Sequence, residues 1–247
     1  MITAVTDKAE LERLLGAQHD VYTEKIRSYA EAYGFGYDFC TFAAQDSTAV
    51  ICSYYGDAVC APVSVPDPEQ SAELSSFLTF GQYRRVLMPY PLCEQLGLAE
   101  NADTLYLMKC NGDVKNSVDC NKEKPVTDAS LGQIYEIVSS GFDIDRDTWY
   151  TDTSHMLRHG IARAYVLGGA ACAIQMFASG GVSYVSYVCT RPEMRGRGLA
   201  RELLGYICAG NAENGSDTFV FCREELRDFY ENAGFSLAGK AAETDKI

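Results

Sequence analysis

Residues 188–201 read VCTRPEMRGRGLAR, and this stretch joins a predicted strand to a predicted helix. The β-branched and aromatic run 182–190 predicts the strand, and apolar residues at helical spacing from Leu199 onward predict the helix. Gly196 and Gly198 carry no Cβ, so a ligand can approach their main chain closely. Unpaired amides at a helix start attract anions, which predicts a pyrophosphate-binding loop here. Three cationic side chains stand in the same stretch: Arg195, Arg197 and Arg201.

A second motif, FYENAGF, occupies residues 229–235. The loop resembles the coenzyme-A-binding motif of the GNAT superfamily of N-acetyltransferases: Arg or Gln, two free positions, Gly, one free position, then Gly or Ala. Arg195, Gly198 and Ala200 fill that pattern, and the downstream motif is similar to the closing helix of the family and its FY…GF ending. The family order of strand, CoA helix, strand, closing helix and strand is reproduced at matching spacings.

The resemblance implies acetyl-CoA as cosubstrate, with main-chain groups of β-strand residues 188–190 holding the pantetheine arm. A backbone N–H at or near Val188 would polarise the thioester carbonyl. Tyr230 stands where the family places a tyrosine that protonates the leaving thiolate, and a phenol with a pKa of about 10 can donate that proton. A buried strand end and a core tyrosine are the alternative interpretations of these positions. The residues expected to bind CoA are Val188, Cys189, Thr190, Arg195, Gly196, Arg197, Gly198, Leu199, Ala200 and Arg201.

The chain departs from the family pattern in two places. Arg223 stands where many members carry an asparagine that contacts the pantetheine, so a ligand role for Arg223 stays open. Residues 162–190 contain no carboxylate that could act as a base, whereas acids crowd into 143–152. We expect most of those acids to cap a helix or face solvent. His155 and His159 share a helix face, but without a third ligand nearby we expect no metal site.

Composition narrows the class of partner. The 247 residues carry a formal net charge of −13, which argues against nucleic acid or an anionic membrane as partner. The charge mildly favours a cationic amine, and the alternative interpretation is that it only supports solubility. Ten cysteines without a CxxC pair are expected to be small core residues of a reducing compartment. No export signal or apolar run of membrane-spanning length is present, so a cytoplasmic monomer or homodimer is expected.

The order of predicted elements occurs twice along the chain. Two helices, three strands, a helix, a strand, a helix and a strand form the first half, and the second half repeats this order. We therefore predict an α/β protein of the α+β type with two GNAT-like halves, each a mixed, mostly antiparallel sheet flanked by helices. Residues 1–117 would be a degenerate domain and 118–247 the acetyltransferase domain. The first-half loop, APVSVPDPE at 61–69, has three prolines, two acids and no glycine, so we expect no CoA site there.

These observations favour an acetyl-CoA-dependent N-acetyltransferase acting on a primary amine of a small molecule, an amino acid or a peptide. The alternative is a CoA-binding sensor or interaction module that has lost turnover. A dinucleotide-binding Rossmann unit is disfavoured because RGRGLA does not match GxGxxG, and no GxxxxGK[ST] P-loop is present.

Overall fold

The computed structural model describes residues 1–111 and 124–245, and these form two compact units. Unit 1 comprises residues 1–107, 221–224 and 238–245. Unit 2 comprises 108–111, 124–220 and 225–237. The predicted boundary between residues 117 and 118 lies outside the described residues, so the division into domains at that point stays a prediction.

Most of unit 1 is one continuous run of chain, residues 1–107, and four helices lie among its described residues. The helices are α1 Lys8–Leu15, α2 Val21–Tyr33, α3 Pro68–Phe80 and α4 Tyr90–Gln95. The strands are β1 Ile2–Val5, β2 Cys40–Gln45, β3 Ala49–Tyr54, β4 Asp57–Pro62, β5 Arg85–Pro89 and β6 Ala102–Cys110. Strands β1 to β4 pair as antiparallel neighbours. Helix α3 is the crossover that makes β4 and β5 parallel.

Asp7 caps helix α1, and its side chain accepts a hydrogen bond from the Glu10 amide at 2.9 Å. Aspartate just before the first helical residue is a strong N-cap, which explains why the helix begins at Lys8. Strand β1, which has no counterpart among the predicted elements, pairs with β2.

Unit 2 repeats this order of elements. Its helices are α5 Leu131–Val138, α6 Arg146–Arg158, α7 Leu199–Glu213 and α8 Arg227–Asn232. Its strands are β7 Arg163–Leu167, β8 Ala171–Ser179, β9 Val182–Thr190, β10 Asp217–Cys222 and β11 Phe235–Asp245. β7, β8 and β9 are antiparallel, and α7 is the crossover that makes β9 and β10 parallel. Strands β6, β10 and β11 contribute residues to both units. The predicted fold class of mixed, mostly antiparallel sheets flanked by helices is confirmed.

The cysteines are part of the apolar interior, as predicted. Nine of them fall within the described residues, and all nine are buried free thiols. Burial raises the pKa of Cys60 and of Cys172 to about 12, so these thiols stay protonated at neutral pH. Within the described part of the chain, we find no helix that combines the length and the apolar character needed to cross a membrane.

Candidate functional site

The candidate site begins where β9 leaves its parallel neighbour. The register between β9 and β10 covers three residue pairs and ends at Tyr184 opposite Phe219. Strand β9 continues to Thr190, paired with β8 on its other side. The predicted pantetheine-binding residues 188–190 therefore lie on the part of β9 beyond its ladder with β10.

The ladder between β8 and β9 is irregular beside these residues. It carries register shifts between Cys172 and Ile174 and between Gln175 and Phe177. The first shift places an extra residue in β9, where Tyr187 adopts a φ of 52°. A positive φ costs a non-glycine residue of order 1–3 kcal/mol, and such strain clusters at functional sites. The bulge therefore sets the orientation of the main chain at Val188, the residue predicted to polarise the thioester.

The Cys189 side chain packs against the segment 137–141. Its side chain is buried, with Sγ 3.2 Å from the Ile137 carbonyl oxygen and 3.7 Å from Ser140 Oγ. A Cβ at position 141 would stand 2.6 Å from this sulfur, so Gly141 is needed for the close approach of the two segments. Only the main chain of Cys189 remains for the CoA-binding role predicted from the sequence.

The loop after β9 turns into α7 through two glycines. A short 3-10 turn at Pro192–Met194 leads to Gly196 and Gly198, whose φ angles are 77° and 79°. Left-handed backbone of this kind favours glycine, which explains both residues. Gly198 is the N-cap of α7 and offers no side chain to cap the helix.

The main-chain amides of residues 196–201 are the strongest indication of an anion-binding site in the loop. In the part of the chain that the structure describes, none of these six N–H groups has a hydrogen-bond partner. The first main-chain bond to the loop is that of the Glu202 amide, which donates to the Gly198 carbonyl at 3.0 Å. Successive free amides at the positive end of a 15-residue helix form an anion-binding site.

Arginine side chains supplement these amides. The Arg195 Nε donates to the Thr190 carbonyl at 3.2 Å, which ties the loop to the end of β9. Arg201 turns back toward the loop, and its Nη2 lies 3.9 Å from where a Cβ at Gly198 would stand. Arg195, Arg197 and Arg201 are all exposed. The predicted loop residues therefore lie together, with their positive charge open to solvent.

The predicted acid, Tyr230, lies in α8 of the same unit. Its side chain is buried and packs edge-on against Phe229 and Phe235, with ring centroids 5.1 and 5.6 Å away. Gly234 follows the helix with a φ of 91°, in the left-handed backbone that favours glycine after a helix end. The packing of Phe235 on Tyr230 fixes the direction of the tyrosine ring.

Comparisons with known proteins identify the fold of this unit. Residues 158–237 match the family model described as the acetyltransferase (GNAT) domain. These residues are similar to a GNAT acetyltransferase domain. Acetyl transfer is accordingly the general chemistry that this domain indicates. A comparison with curated protein sequences found no match.

Solved structures agree with the GNAT fold at low sequence identity. A Drosophila protein has a TM-score of 0.67 and 12% identity, with 99% of this chain and 98% of that chain covered. A putative acetyltransferase from Pyrococcus horikoshii has a TM-score of 0.61 and 14% identity, covering 100% and 89%. An acetyltransferase of the GNAT family from Colwellia psychrerythraea has a TM-score of 0.59 and 11% identity, covering 99% of each chain. At these identities the likeness is one of fold.

The segment before β7 carries an aromatic cluster that the sequence did not reveal. Trp149 is buried between Tyr135, Tyr150 and Tyr187, with ring centroids 5.5, 5.6 and 6.3 Å away. Its indole Nε1 is buried without a hydrogen-bond partner within the described ranges. The guanidinium of Arg146 lies over two of these rings. A lone tryptophan in a sequence signals burial, but not which rings surround it.

The remaining polar candidates of the sequence have structural roles. Asp145 caps α6 by accepting a hydrogen bond from the Thr148 amide at 2.8 Å, as expected for these acids. Hydrogen bonds from the side chain and the main chain of Thr148 lower the pKa of Asp145. Arg223 forms an ion pair with Asp103 of unit 1 at 3.4 Å. His155 and His159 stack at 4.2 Å, and no group of three metal-ligating side chains occurs among residues 1–111 and 124–245.

Proposed function

We propose that the GNAT domain is an acetyl-CoA-dependent N-acetyltransferase that acts on a primary amine of a small molecule, an amino acid or a peptide. The observation that carries this proposal is the run of six unpaired amides at the start of α7, flanked by three exposed arginines. A diphosphate offers the charge and the acceptor oxygens that such a run of donors requires.

Each part of the loop and of β9 has a role in this proposal. The amides of residues 196–201 hold the diphosphate, and Arg195, Arg197 and Arg201 neutralise its charge. The main chain of residues 188–190 holds the pantetheine arm, and the N–H of Val188 polarises the thioester carbonyl. The amine nitrogen attacks the carbonyl carbon, the C–S bond breaks, and Tyr230 gives its proton to the departing thiolate. The proton lost by the amine passes to solvent, toward the acids of 143–152, and solvent returns a proton to the Tyr230 phenolate.

A CoA-binding module without turnover is the second candidate. In the family, an asparagine at the position of Arg223 is expected to contact the pantetheine. Arg223 instead forms an ion pair with Asp103, so this contact is missing, which favours the module. The absence of carboxylates from residues 162–190 favours it as well.

Calorimetry with CoA, followed by measurement of free thiol released from acetyl-CoA in the presence of a panel of amines, separates these functions. Saturable binding with amine-dependent thiol release supports the enzyme. Saturable binding without release by any amine supports the module. If neither CoA nor acetyl-CoA binds, both functions and the assignment of the loop are wrong.

A further inference from the structure

A cavity lies in unit 2, away from the loop. It has a volume of about 1000 Å³ and is bordered by the C-terminal half of α7 and by the ends of β7 and β8. Side chains from the last two turns of α7, between Tyr206 and Glu213, and the C-cap Asn214 line it, whereas the loop precedes the opposite end of that helix. At 1.5 Å per residue, Gly198 and Asn211 are roughly 20 Å apart along the helix. The cavity is therefore a different site from the proposed diphosphate loop.

Gln175 presents unused hydrogen-bond donors to this cavity. The side chain is 93% buried, since only 7% of the residue is exposed, and it lines the cavity. Its Oε1 accepts a hydrogen bond from the Tyr165 hydroxyl at 3.2 Å. Its amide nitrogen has no partner among the residues that the structure describes. A ligand that accepts these hydrogen bonds would pair donors for which the described residues supply no acceptor.

Asn211 presents an unused acceptor on the facing helix. It is also 7% exposed and lines the same cavity. Its amide nitrogen donates to Ser183 Oγ and to Thr218 Oγ1, each at 2.9 Å, and these bonds fix the orientation of the amide. The opposite atom, Oδ1, has no partner within the described chain. One wall thus offers donors and the other an acceptor.

The remaining lining residues narrow the ligand class. Arg163 and Glu213 are the charged side chains of the lining, and both are exposed, so no buried charge is available to compensate a charged ligand. The rings of Tyr165 and Tyr206 meet edge-on at 6.2 Å and offer an apolar surface. A hydroxyl group both donates and accepts, which matches the Gln175 and Asn211 pair.

We propose that this cavity binds a small neutral polyhydroxylated molecule, such as a sugar or cyclic polyol. Gln175 donates to one of its hydroxyl oxygens, Asn211 accepts from a hydroxyl group, and the tyrosine rings contact its C–H face. The site goes beyond the proposed acetyl transfer and does not depend on it.

The test uses the full chain with glucose, mannose and myo-inositol as probes and with nicotinamide as a neutral ring compound that has no hydroxyl group. Side-chain amide NMR and thermal unfolding report binding. We expect one or more of the three polyols to move the Gln175 side-chain resonance and raise the unfolding temperature. Gln175→Met keeps the length of the side chain and removes its donors, so it should weaken that binding about tenfold or more.

Two controls separate this proposal from other causes. Tyr165→Phe removes the hydroxyl that bonds Gln175 Oε1 while leaving the Gln175 donors, so binding should persist within about threefold. Gly198→Glu disables the diphosphate loop, so polyol binding should be unchanged even where CoA binding is lost. The proposal is overturned if none of the three polyols binds, if Gln175→Met binds them as the parent chain does, or if nicotinamide alone binds.

Discussion

Two connections occupy the same place in the order of elements: the one from β4 to α3 and the one from β9 to α7. Main-chain amides of the first are hydrogen-bonded within the protein, whereas those at the start of α7 are free. In unit 1, the Val63 and Ser64 amides donate to the Thr48 carbonyl at 2.7 and 3.1 Å. The Gln70 amide donates to Asp67 in a capping box. In unit 2, the six amides of 196–201 stay free.

The difference shows that topology alone does not make an anion site. Both connections follow a strand that pairs with its parallel neighbour over only three residues. The unit 1 connection is further closed by Gln95, whose Nε2 donates to the Pro66 carbonyl at 2.6 Å. In unit 1, the aspartate N-cap accepts a hydrogen bond from the helix start, and the prolines have no N–H group to offer. In unit 2, the glycine N-cap has no side chain, so the amides stay available to a ligand. This contrast supports the proposal that unit 1 binds no CoA at this connection.

The largest expected effect comes from Gly198→Glu in unit 2. A side chain at a φ of 79° is strained, and the added carboxylate would repel a diphosphate from the free amides. We expect the affinity for CoA, measured by calorimetry, to fall more than about 100-fold. The matched control, Gly198→Asn, tolerates the left-handed backbone and adds no charge, so it should retain binding within about tenfold. Normal CoA binding by the glutamate variant would refute the loop assignment.

The next effect concerns Tyr230→Phe. Loss of the phenolic proton donor should lower kcat for acetyl transfer by about 10²- to 10³-fold and leave CoA affinity nearly unchanged. The paired measurements are amine-dependent thiol release and calorimetry, with thermal unfolding to verify that the buried site is intact. Phe229→Leu on the same helix serves as the control and should affect turnover less. Equal turnover by the Tyr230→Phe variant and the parent chain would exclude the acid role.

A moderate effect on stability is expected for Asp67→Ala in unit 1. Loss of the capping hydrogen bond to the Gln70 amide costs about 1 kcal/mol, or roughly 2–4 °C in the unfolding temperature. CoA affinity should be unchanged, because this connection is proposed to bind none. A change in CoA affinity in this variant would show that unit 1 contributes to the site.

The smallest effect is a pH dependence at Asp145, the capped helix start of unit 2. Because its pKa is lowered in the folded state, its stabilising contribution is present above the ordinary aspartate pKa of 3.8 and is lost as the pH falls through the lowered value. Asp145→Asn still caps α6 but does not titrate. The difference in unfolding temperature between the two proteins should therefore be small at neutral pH and change below about pH 4. A constant difference at all pH values would contradict this role.

The sequence predicted most of the elements because their signals are local. Strand 182–190, the glycine loop and the helix-ending Gly234 were all recognisable from β-branched residues, glycine spacing and an aromatic motif. Two other features could not be recognised in the sequence: the bulge at Tyr187 and the approach of Gly141 to Cys189. Each depends on which segment of the chain packs against these residues in the folded protein. Likewise, Gln175 and Asn211 are ordinary polar residues in the sequence. Their unpaired atoms become visible only when the elements that surround them are in place.

The two register shifts in the β8–β9 hairpin have a consequence for how this protein can be altered. The extra residue in β9 and the extra residue in β8 compensate each other, so the pairs beyond both shifts, Ala171 with Thr190 and Ser179 with Val182, keep a common frame. Deleting one residue from either strand alone would offset Thr190 from its partner and displace the anchor of the glycine loop. Hairpin shortening is therefore expected to be tolerated only as a coordinated pair of deletions.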